Sequence, residues 1–189
     1  MLQGPWLPCL STNATERRLY NARGSSESRR SLERDRVDGT KRAYALWFSY
    51  ILSASRELGS DKTVELIAKV ANKRGRADGA ELKEKLGIKN SDLNSALKVY
   101  EKFMSDSGAE VKTLSAEETR AIIRVGSCPI FEGFLSAGMT CDWLTETMCK
   151  TLTLPLLQAI VNEVNPSLRL RIRKFRGSPE DFCLEELYS

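Results

Sequence analysis

Apolar residues in the first half of the chain recur at steps of three and four, which predicts amphipathic helices. The first helix ends at Gly59, and the second is capped by Asp61. Glycines within 75–79 interrupt the pattern, and Ser91 or Asn90 caps the last helix of this half. The predicted helices are 40–58, the helix that begins at Asp61, 80–86 and 91–104.

The period changes near Gly108, where alternating apolar and polar residues predict strands. Turns at 115–118 and 177–179 join the strands in pairs. The predicted elements of this half are strands 111–114 and 121–125, helices 130–137, 141–150 and 154–163, and strands 168–175 and 182–187. We therefore expect an α+β fold, with a helical N-terminal half followed by an antiparallel sheet that has helices packed on one face.

Residues 1–36 show neither period and are rich in arginine and serine. Such a segment buries too little apolar surface to offset its ordering entropy, so we predict a disordered tail. A transit peptide and a basic interaction arm are alternatives, as is a gene start placed too far upstream of Val37. Residues 37–189 are long enough for one core and are predicted to form a single α+β domain.

The formal net charge of +4 is unevenly distributed along the chain. Seven arginines against four acidic residues give +3 for residues 1–36, which leaves +1 for residues 37–189. A nearly neutral domain argues against nucleic acid as a partner. The segment 79–100 nevertheless imitates a helix-turn-helix, with Ser91, Asn94 and Lys98 available for DNA, so a DNA-binding regulator is a further alternative.

Hydrophobic residues make up 41% of the chain and charged residues 29%, as in soluble globular proteins. No apolar run approaches the roughly 18 residues that span a bilayer, so no membrane association is expected. The five cysteines are an odd number and no apolar leader precedes them, which favours reduced thiols in the cytoplasm. A homo-oligomer is compatible with these features.

Four of the five cysteines lie after residue 124, and the chain contains no histidine. On the helix over 141–150, Cys141 and Cys149 lie on one side and Glu146 lies one turn before Cys149. Two thiols and a carboxylate on adjacent turns could bind a divalent metal if other segments supplied further ligands. Packing of the thiols as small hydrophobic groups is the alternative.

Alternation in the final strand places Asp181, Cys183 and Glu185 on one face. Two carboxylates and a thiol do not make an ordinary core, so this face is predicted to line a pocket. An exposed polar face at a sheet edge is the alternative.

The preceding strand presents Arg169, Arg171 and Arg173 on one face. Ion pairs with acidic residues across the hairpin explain most of them. One arginine of this strand, or Arg124, is left as a candidate to receive a substrate carboxylate through a bidentate contact.

Cys128 follows a strand and precedes Pro129, which fits the first turn of a helix. The helix dipole can lower the pKa of a thiol at this position, as in nucleophilic cysteines. Because the chain has no histidine, Cys-His and Ser-His-Asp mechanisms within one chain are excluded.

The order of these motifs over residues 40–187 resembles the L-2-amino-thiazoline-4-carboxylic acid hydrolase family. The helical first half with Leu86-Gly87-Ile88 also fits the layout of that family. The motifs that carry the resemblance are a strand before Cys128-Pro129, a short helix ending near Gly138, Cys141, Cys149, Asn165-Pro166, an arginine-bearing strand, and Asp181-Phe182-Cys183 with Glu185.

The resemblance implies a hydrolase of non-peptide C–N bonds that opens a small cyclic amidine to an N-carbamoyl amino acid. Candidate catalytic residues are then Cys128, Asp181, Cys183 and Glu185. Candidate substrate-binding residues are Arg124, Arg173 and Asn165.

The resemblance also implies kinship in layout with vinyl-reductase-type sensing domains, in which cysteines and an acidic residue hold zinc. A non-catalytic domain that binds a small molecule and contains structural zinc is therefore the second hypothesis. Either zinc is held by several of these residues, or one thiol is a nucleophile, for which Cys128 is the candidate. The candidate zinc ligands are Cys128, Cys141, Glu146, Cys149 and Cys183.

Overall fold

The computed structural model describes residues 26–139 and 142–189. The chain divides into two compact units, Met1–Arg34 and Asp35–Ser189. Residues 26–34 of the first unit are helical, whereas all strands and the remaining helices belong to the second unit.

The described residues form six α-helices, one π-helix and four strands. None of these helices is long and apolar enough to cross a membrane. In chain order the elements are α1 (Ser26–Leu58), α2 (Ser60–Lys85), α3 (Leu93–Asp106), β1 (Val111–Ala116), β2 (Arg120–Val125), α4 (Pro129–Ser136), α5 (Asp142–Met148), the π-helix (Cys149–Thr153), α6 (Leu154–Asn162), β3 (Arg169–Lys174) and β4 (Cys183–Tyr188).

The four strands form one antiparallel sheet in the order β1-β2-β4-β3. Both predicted hairpins are present, and β2 and β4 pair in the centre of the sheet, with Ala121 opposite Leu187 and Val125 opposite Cys183. Strand β4 is therefore not an edge strand. The helical first half followed by an antiparallel sheet with helices confirms the predicted α+β fold.

Helix α1 ends at Leu58, as predicted, because Gly59 adopts a φ of 83°, which side chains disfavour. Its start differs from the prediction: the helix begins at Ser26, so residues 26–36 of the expected tail are helical. Arginine, glutamate and leucine in this stretch are good helix formers, and local propensity does not require a buried face. The rest of the expected tail, residues 1–25, lies outside the described residues.

The predicted break at 75–79 is wrong, since α2 runs continuously from Ser60 to Lys85. Both glycines in this stretch are buried against α6. A Cβ atom at Gly75 would lie 2.4 Å from the Leu156 carbonyl oxygen, and one at Gly79 would lie 2.8 Å from that of Ile160. Only glycine permits this close approach of the two helix backbones. These glycines thus serve packing between helices.

Further boundaries differ from the prediction. The N-cap of α2 is Gly59 and not Asp61, which lies in the first turn of the helix. The N-cap of α3 is Asp92, whose side chain accepts a hydrogen bond of 2.7 Å from the Ser95 backbone N–H. The helix predicted over 141–150 changes its winding at Cys149, where the π-helix begins and leads directly into α6. Single π-helical turns of this kind occur frequently at functional sites.

Two clusters of buried apolar residues form the interior. The larger cluster packs α3 and α6 against one face of the sheet, which we call the inner face. The smaller cluster joins α1, α4 and the π-helix and includes Phe48, Phe134 and Leu152. Cys128 and Phe175 pack against both clusters, so the clusters meet beside these two residues.

Candidate active site

A small buried cavity lies where the two clusters meet. Its volume of about 20 Å³ is enough for about one water molecule. Aromatic and aliphatic side chains form most of its wall, including Phe131, Phe134 and Phe175. The polar and titratable groups that line it are Cys128, Cys149, Thr153, Arg176, Cys183 and Glu185.

Four separate segments bring these groups together. Cys128 is the N-cap of α4, in extended conformation before Pro129 at the first helical position. Cys149 and Thr153 are the first and last residues of the π-helix. Cys183 and Glu185 are two residues apart on β4, so the pleat of the strand turns both toward the inner face, where both are buried.

Glu185 is a buried carboxyl group in the core of the sheet, with 5% of its surface exposed. The Tyr100 hydroxyl donates a hydrogen bond of 2.8 Å to its Oε2 atom. Burial raises the pKa of Glu185 to about 7, although the Tyr100 hydrogen bond and the nearby Arg176 charge oppose the rise. A carboxyl group with this pKa can both accept and return a proton at neutral pH.

Arg176 lies in the connection between β3 and β4, yet only 1% of its surface is exposed. Its Nη2 atom donates a hydrogen bond of 2.9 Å to the Val125 carbonyl oxygen, and its guanidinium carbon lies 5.2 Å from the centre of the Phe131 ring. Within the described part of the chain, its Nε and Nη1 atoms have no hydrogen-bond partner, and neither has Thr153 Oγ1.

Unpartnered donors on a buried cation are costly, because a guanidinium cannot lose its proton in a protein. The two unpartnered donors of Arg176 lie on different edges of the guanidinium, and each shares its edge with Nη2, which has a second N–H beside the one that bonds Val125. One edge therefore still offers the two parallel donors that match a carboxylate. The lining of the cavity is thus chemically suited to an anionic group. Thr153 adds a hydroxyl that can donate to the same anion.

The three cavity thiols are held in their protonated form. Burial raises the pKa of Cys128 to about 11, although backbone N–H groups at the start of α4 and the Arg176 charge oppose the rise. Burial also raises the pKa of Cys149 well above its ordinary value, and the Glu185 charge adds to this. For Cys183, burial outweighs the Arg176 backbone and side-chain groups that favour the thiolate. The start of α4 thus favours the Cys128 thiolate through its backbone N–H groups, but the effect of burial is larger, so the lowered pKa expected at this position is not found.

The three predicted substrate-binding residues lie away from the cavity. Arg124 is on the face of the sheet opposite the inner face, which we call the outer face, and its guanidinium carbon lies 4.6 Å from the centre of the Phe182 ring. Arg173 points to the same face, where its Nη1 atom lies 3.6 Å from Glu186 Oε1. The Asn165 side chain donates a hydrogen bond of 2.8 Å to the Ser91 carbonyl oxygen and so connects two loops.

Asp181 also lies outside the cavity, because β4 begins only at Cys183. Its carboxylate lies 2.5 Å from Lys174 Nζ, and it accepts a hydrogen bond of 3.2 Å from the Gly177 backbone N–H. The hydrogen bond from Lys174, with those from backbone N–H groups, lowers the pKa of Asp181 to about 2. Asp181 is thus part of the turn that joins β3 and β4.

The predicted zinc ligands are only partly brought together. Cys128, Cys149 and Cys183 line the cavity, and Cys141 lies outside the described residues. Glu146 on α5 instead pairs with Lys150 of the π-helix at 2.6 Å. Over residues 26–139 and 142–189, no group of three or more cysteine, aspartate or glutamate side chains is arranged to hold a metal ion. The positive charge of Arg176 in the same cavity also opposes a divalent cation. We therefore derive no step through zinc, which stays a prediction.

Comparison with protein families matches residues 40–184 to the family described as L-2-amino-thiazoline-4-carboxylic acid hydrolase. The match covers most of the chain. The protein belongs to this family. Comparison with curated proteins finds no match, and neither does comparison with solved structures.

The part matched to the hydrolase family contains nearly the whole cavity. It begins within α1 and ends at Leu184, so it includes the three cavity thiols and Arg176 and stops one residue before Glu185. The chain thus carries an L-2-amino-thiazoline-4-carboxylic acid hydrolase-like domain, as its motif order indicated.

Reasoning from the sequence missed Arg176, Thr153 and Tyr100 as site residues. Arg176 follows a strand and precedes a glycine turn, a position that normally indicates an exposed residue. Tyr100 belongs to the apolar side of a regular helix, where nothing distinguishes it from core residues. Thr153 did have a weak signal, because it lies four residues after Cys149 and so on the same side of a helix.

Proposed function

We propose that this protein is a hydrolase that opens a small cyclic amidine bearing a carboxylate. The observation that carries the proposal is Arg176, a buried guanidinium with two unpartnered donor atoms at a cavity that also contains Glu185. Membership of the hydrolase family supports the same class of substrate.

Arg176 binds the substrate carboxylate through the second N–H of Nη2 and one of its unpartnered donors, Nε or Nη1, in the bidentate geometry of guanidinium–carboxylate pairs. Thr153 donates its hydroxyl to the same carboxylate. Burial of the pair in an apolar cavity strengthens the attraction and fixes the orientation of the ring. The aromatic wall formed by Phe131, Phe134 and Phe175 contacts the remaining apolar surface of the substrate.

Glu185 then activates water. The water oxygen bonds to the amidine carbon, and one water proton passes through Glu185 to the ring nitrogen. The bond from that carbon to the ring sulfur breaks, the second water proton ends on the sulfur, and the product is an N-carbamoyl amino acid with a free thiol. The bond that opens the ring in this proposal is thus C–S, whereas the sequence resemblance implied cleavage of a C–N bond. The Tyr100 hydroxyl holds the Glu185 carboxylate in place through Oε2.

The alternative chemistry, with Cys128 as nucleophile, is less well supported. Its thiol has a pKa raised to about 11, so very little thiolate is present at neutral pH. Glu185, with a pKa of about 7, is half ionised there. In this proposal the three thiols shape the cavity and exclude water.

Substrate entry requires displacement of part of the cavity wall. The cavity measures about 20 Å³ as it stands, whereas ligand pockets usually enclose roughly 300 Å³ or more. The π-helix carries Cys149 and Thr153 on this wall, and its hydrogen bonding is less regular than that of an α-helix. We expect the wall to open there.

A domain that binds the same carboxylate without turnover is the second candidate function. The closed cavity and its protonated thiols favour it, because both features suit a ligand that is enclosed and retained. Ligand binding without release of an N-carbamoyl product would support this second function over the first.

The test measures turnover of L-2-amino-thiazoline-4-carboxylate and of the matching thiazoline without a carboxylate. We expect Arg176→Met to lower kcat/KM for the carboxylate substrate by about 30-fold or more, as for loss of a buried charged hydrogen-bond partner. The substrate without a carboxylate should be turned over poorly by both proteins and should lose little with the substitution.

Arg173→Gln is the matched control, since it removes an arginine of the same hairpin that faces outward. It should leave kcat/KM within about twofold of the wild type, the scale expected for a side chain that does not touch the substrate. Equal losses in the two variants, or full activity of Arg176→Met, would show that Arg176 does not bind the carboxylate.

A further inference from the structure

The outer face of the sheet, the side opposite α3 and α6, is strongly basic. It carries seven basic residues against two carboxylates, Glu186 and Asp181, which gives a net charge of +5. Further acidic residues, Glu117, Glu118 and Glu180, lie in the turns at its ends. The seven basic residues are Lys112, Arg120, Arg124, Arg169, Arg171, Arg173 and Lys174.

Three of the arginines share a single carboxylate. Arg120 and Arg171 each place Nε at 2.5 Å from Glu186, and Arg173 lies 3.6 Å away. Glu186 is covered by them, whereas the arginine side chains are 45%, 55% and 46% exposed in the same order. One negative charge cannot neutralise three positive charges, so this group keeps an excess of two.

A second group of basic residues with excess positive charge lies at the other end of the strands. Lys112 and Arg124 are direct cross-strand neighbours, and like charges in this position repel each other. In the described part of the chain neither has a carboxylate within ion-pair distance. Arg124 and Lys174 both contact the Phe182 ring, and only Lys174 is also neutralised, by Asp181 at 2.5 Å.

A β-bulge in β3 increases the positive charge of the outer face. The register shifts between Ile172 and Lys174, so Arg173 and Lys174 both contact groups of the outer face although they are consecutive. A regular strand would turn one of the two side chains toward the core.

The distance between the basic residues of the outer face indicates how long an anionic ligand must be to contact them together. Lys112 on β1 and Lys174 on β3 are in register three strand spacings apart, roughly 14 Å, and Arg171 lies farther along β3. One phosphate or carboxylate cannot contact both lysines, whereas a chain of phosphates can. A second copy of this protein does not fit a two-fold interface here, because it would place two basic faces against each other.

We propose that the outer face binds the phosphate backbone of single-stranded nucleic acid. Guanidinium forks match phosphate oxygens, and guanidinium planes next to Phe182 and Tyr188 offer surfaces on which bases stack. The near-neutral charge of residues 37–189 concealed this face, since the opposite charges lie elsewhere on the domain. This proposal is independent of the hydrolase proposal.

The test measures binding of a fluorescent single-stranded oligonucleotide of about 20 nucleotides as NaCl is raised from about 50 to 200 mM. Single-strand binding weakens with a log–log slope of about −0.7 per contacted phosphate. We expect the triple variant Lys112→Gln, Arg124→Gln, Arg173→Gln to bind at least about tenfold more weakly and to reduce the slope by about two.

The matched control is Lys62→Gln, Lys69→Gln, Lys73→Gln, which removes the same charge from exposed positions of α2. It should retain wild-type affinity and slope. The single variant Lys112→Gln changes only an edge strand and should reduce the slope by about 0.7. It provides a second measurement if the triple variant does not fold.

Absence of wild-type binding at about 50 mM NaCl would overturn the proposal. So would equal losses in the α2 control. Tighter binding to vesicles rich in anionic lipid, abolished by the same triple variant, would reassign the face to membranes.

Discussion

Two adjacent glutamates of β4 face opposite sides of the sheet. Glu185 points inward and Glu186 outward, and both are buried, with 5% and 2% of their surfaces exposed. Burial raises the pKa of Glu185 to about 7. The hydrogen bond from Arg171, together with the charges of neighbouring arginines, lowers the pKa of Glu186. Exposure alone therefore does not decide ionisation; the groups around the carboxylate do.

Catalysis is the property in which the two glutamates should differ most. If Glu185 is the general base, Glu185→Gln should lower kcat by about 10²- to 10⁴-fold, whereas Glu186→Gln should retain most activity. Wild-type kcat should rise with pH through about 7, because the base must be ionised. Steady-state assays at a temperature where all proteins are folded test this. Similar kcat values for both variants would remove Glu185 from the chemistry.

Stability should depend on pH through Glu185 in an unusual direction. Its pKa is about 7 in the folded protein and about 4.3 in the unfolded chain, so between these values the folded protein binds the extra proton. The free energy of unfolding should therefore fall as pH rises through this window, by about 4 kcal/mol, and level off above it. Denaturant titrations of wild type and Glu185→Gln at several pH values measure the difference. A wild-type curve parallel to that of the variant would contradict the raised pKa.

The smallest effect is expected on the melting temperature when the Glu186 carboxylate is removed, and this effect should depend on salt. Glu186→Gln leaves three outer arginines without their carboxylate, so they repel one another and the melting temperature should fall by a few degrees. High salt screens exposed charges, so the difference from the wild type should shrink in about 1 M NaCl. Thermal melts at two salt concentrations provide the comparison. A difference that salt does not change would indicate lost packing instead.

The spacing of apolar residues along the sequence predicted much of this fold, because that spacing indicates which residues of a helix or strand share a face. The arginines of β3 were correctly assigned to one face, and Cys183 and Glu185 to one side of β4. The ion pairs expected across the hairpin are present, and their carboxylate is Glu186. Alternation does not say which face is inner, so neither the depth of Glu185 nor the choice of Glu186 as partner could be read from it. Asp181 was assigned to the strand because the pattern continues through it, although the chain turns there.

Two features depended on contacts between residues distant in sequence. Gly75 and Gly79 indicate a turn by local propensity, and only the backbone of α6, about 80 residues later, explains their place in a helix. Arg176 is buried because α4 and the π-helix cover a loop between strands. No local pattern records such coverage, and for this reason Arg124 and Arg173 were chosen as anion-binding residues instead.

The contact of α2 with α6 has a consequence for the evolution of the cavity. At Gly75 and Gly79 the backbone of α2 lies directly against the backbone of α6 and against the Cβ atoms of Ala159 and Glu163, so neither glycine leaves room for a side chain. Helix α6 follows Thr153 directly and contributes Leu157 to the cavity. The packing of α6 against α2 therefore determines the positions of Thr153 and Leu157. Variation in ligand preference should therefore arise from substitutions of residues in the lining. Larger residues at either glycine would displace the whole wall at once.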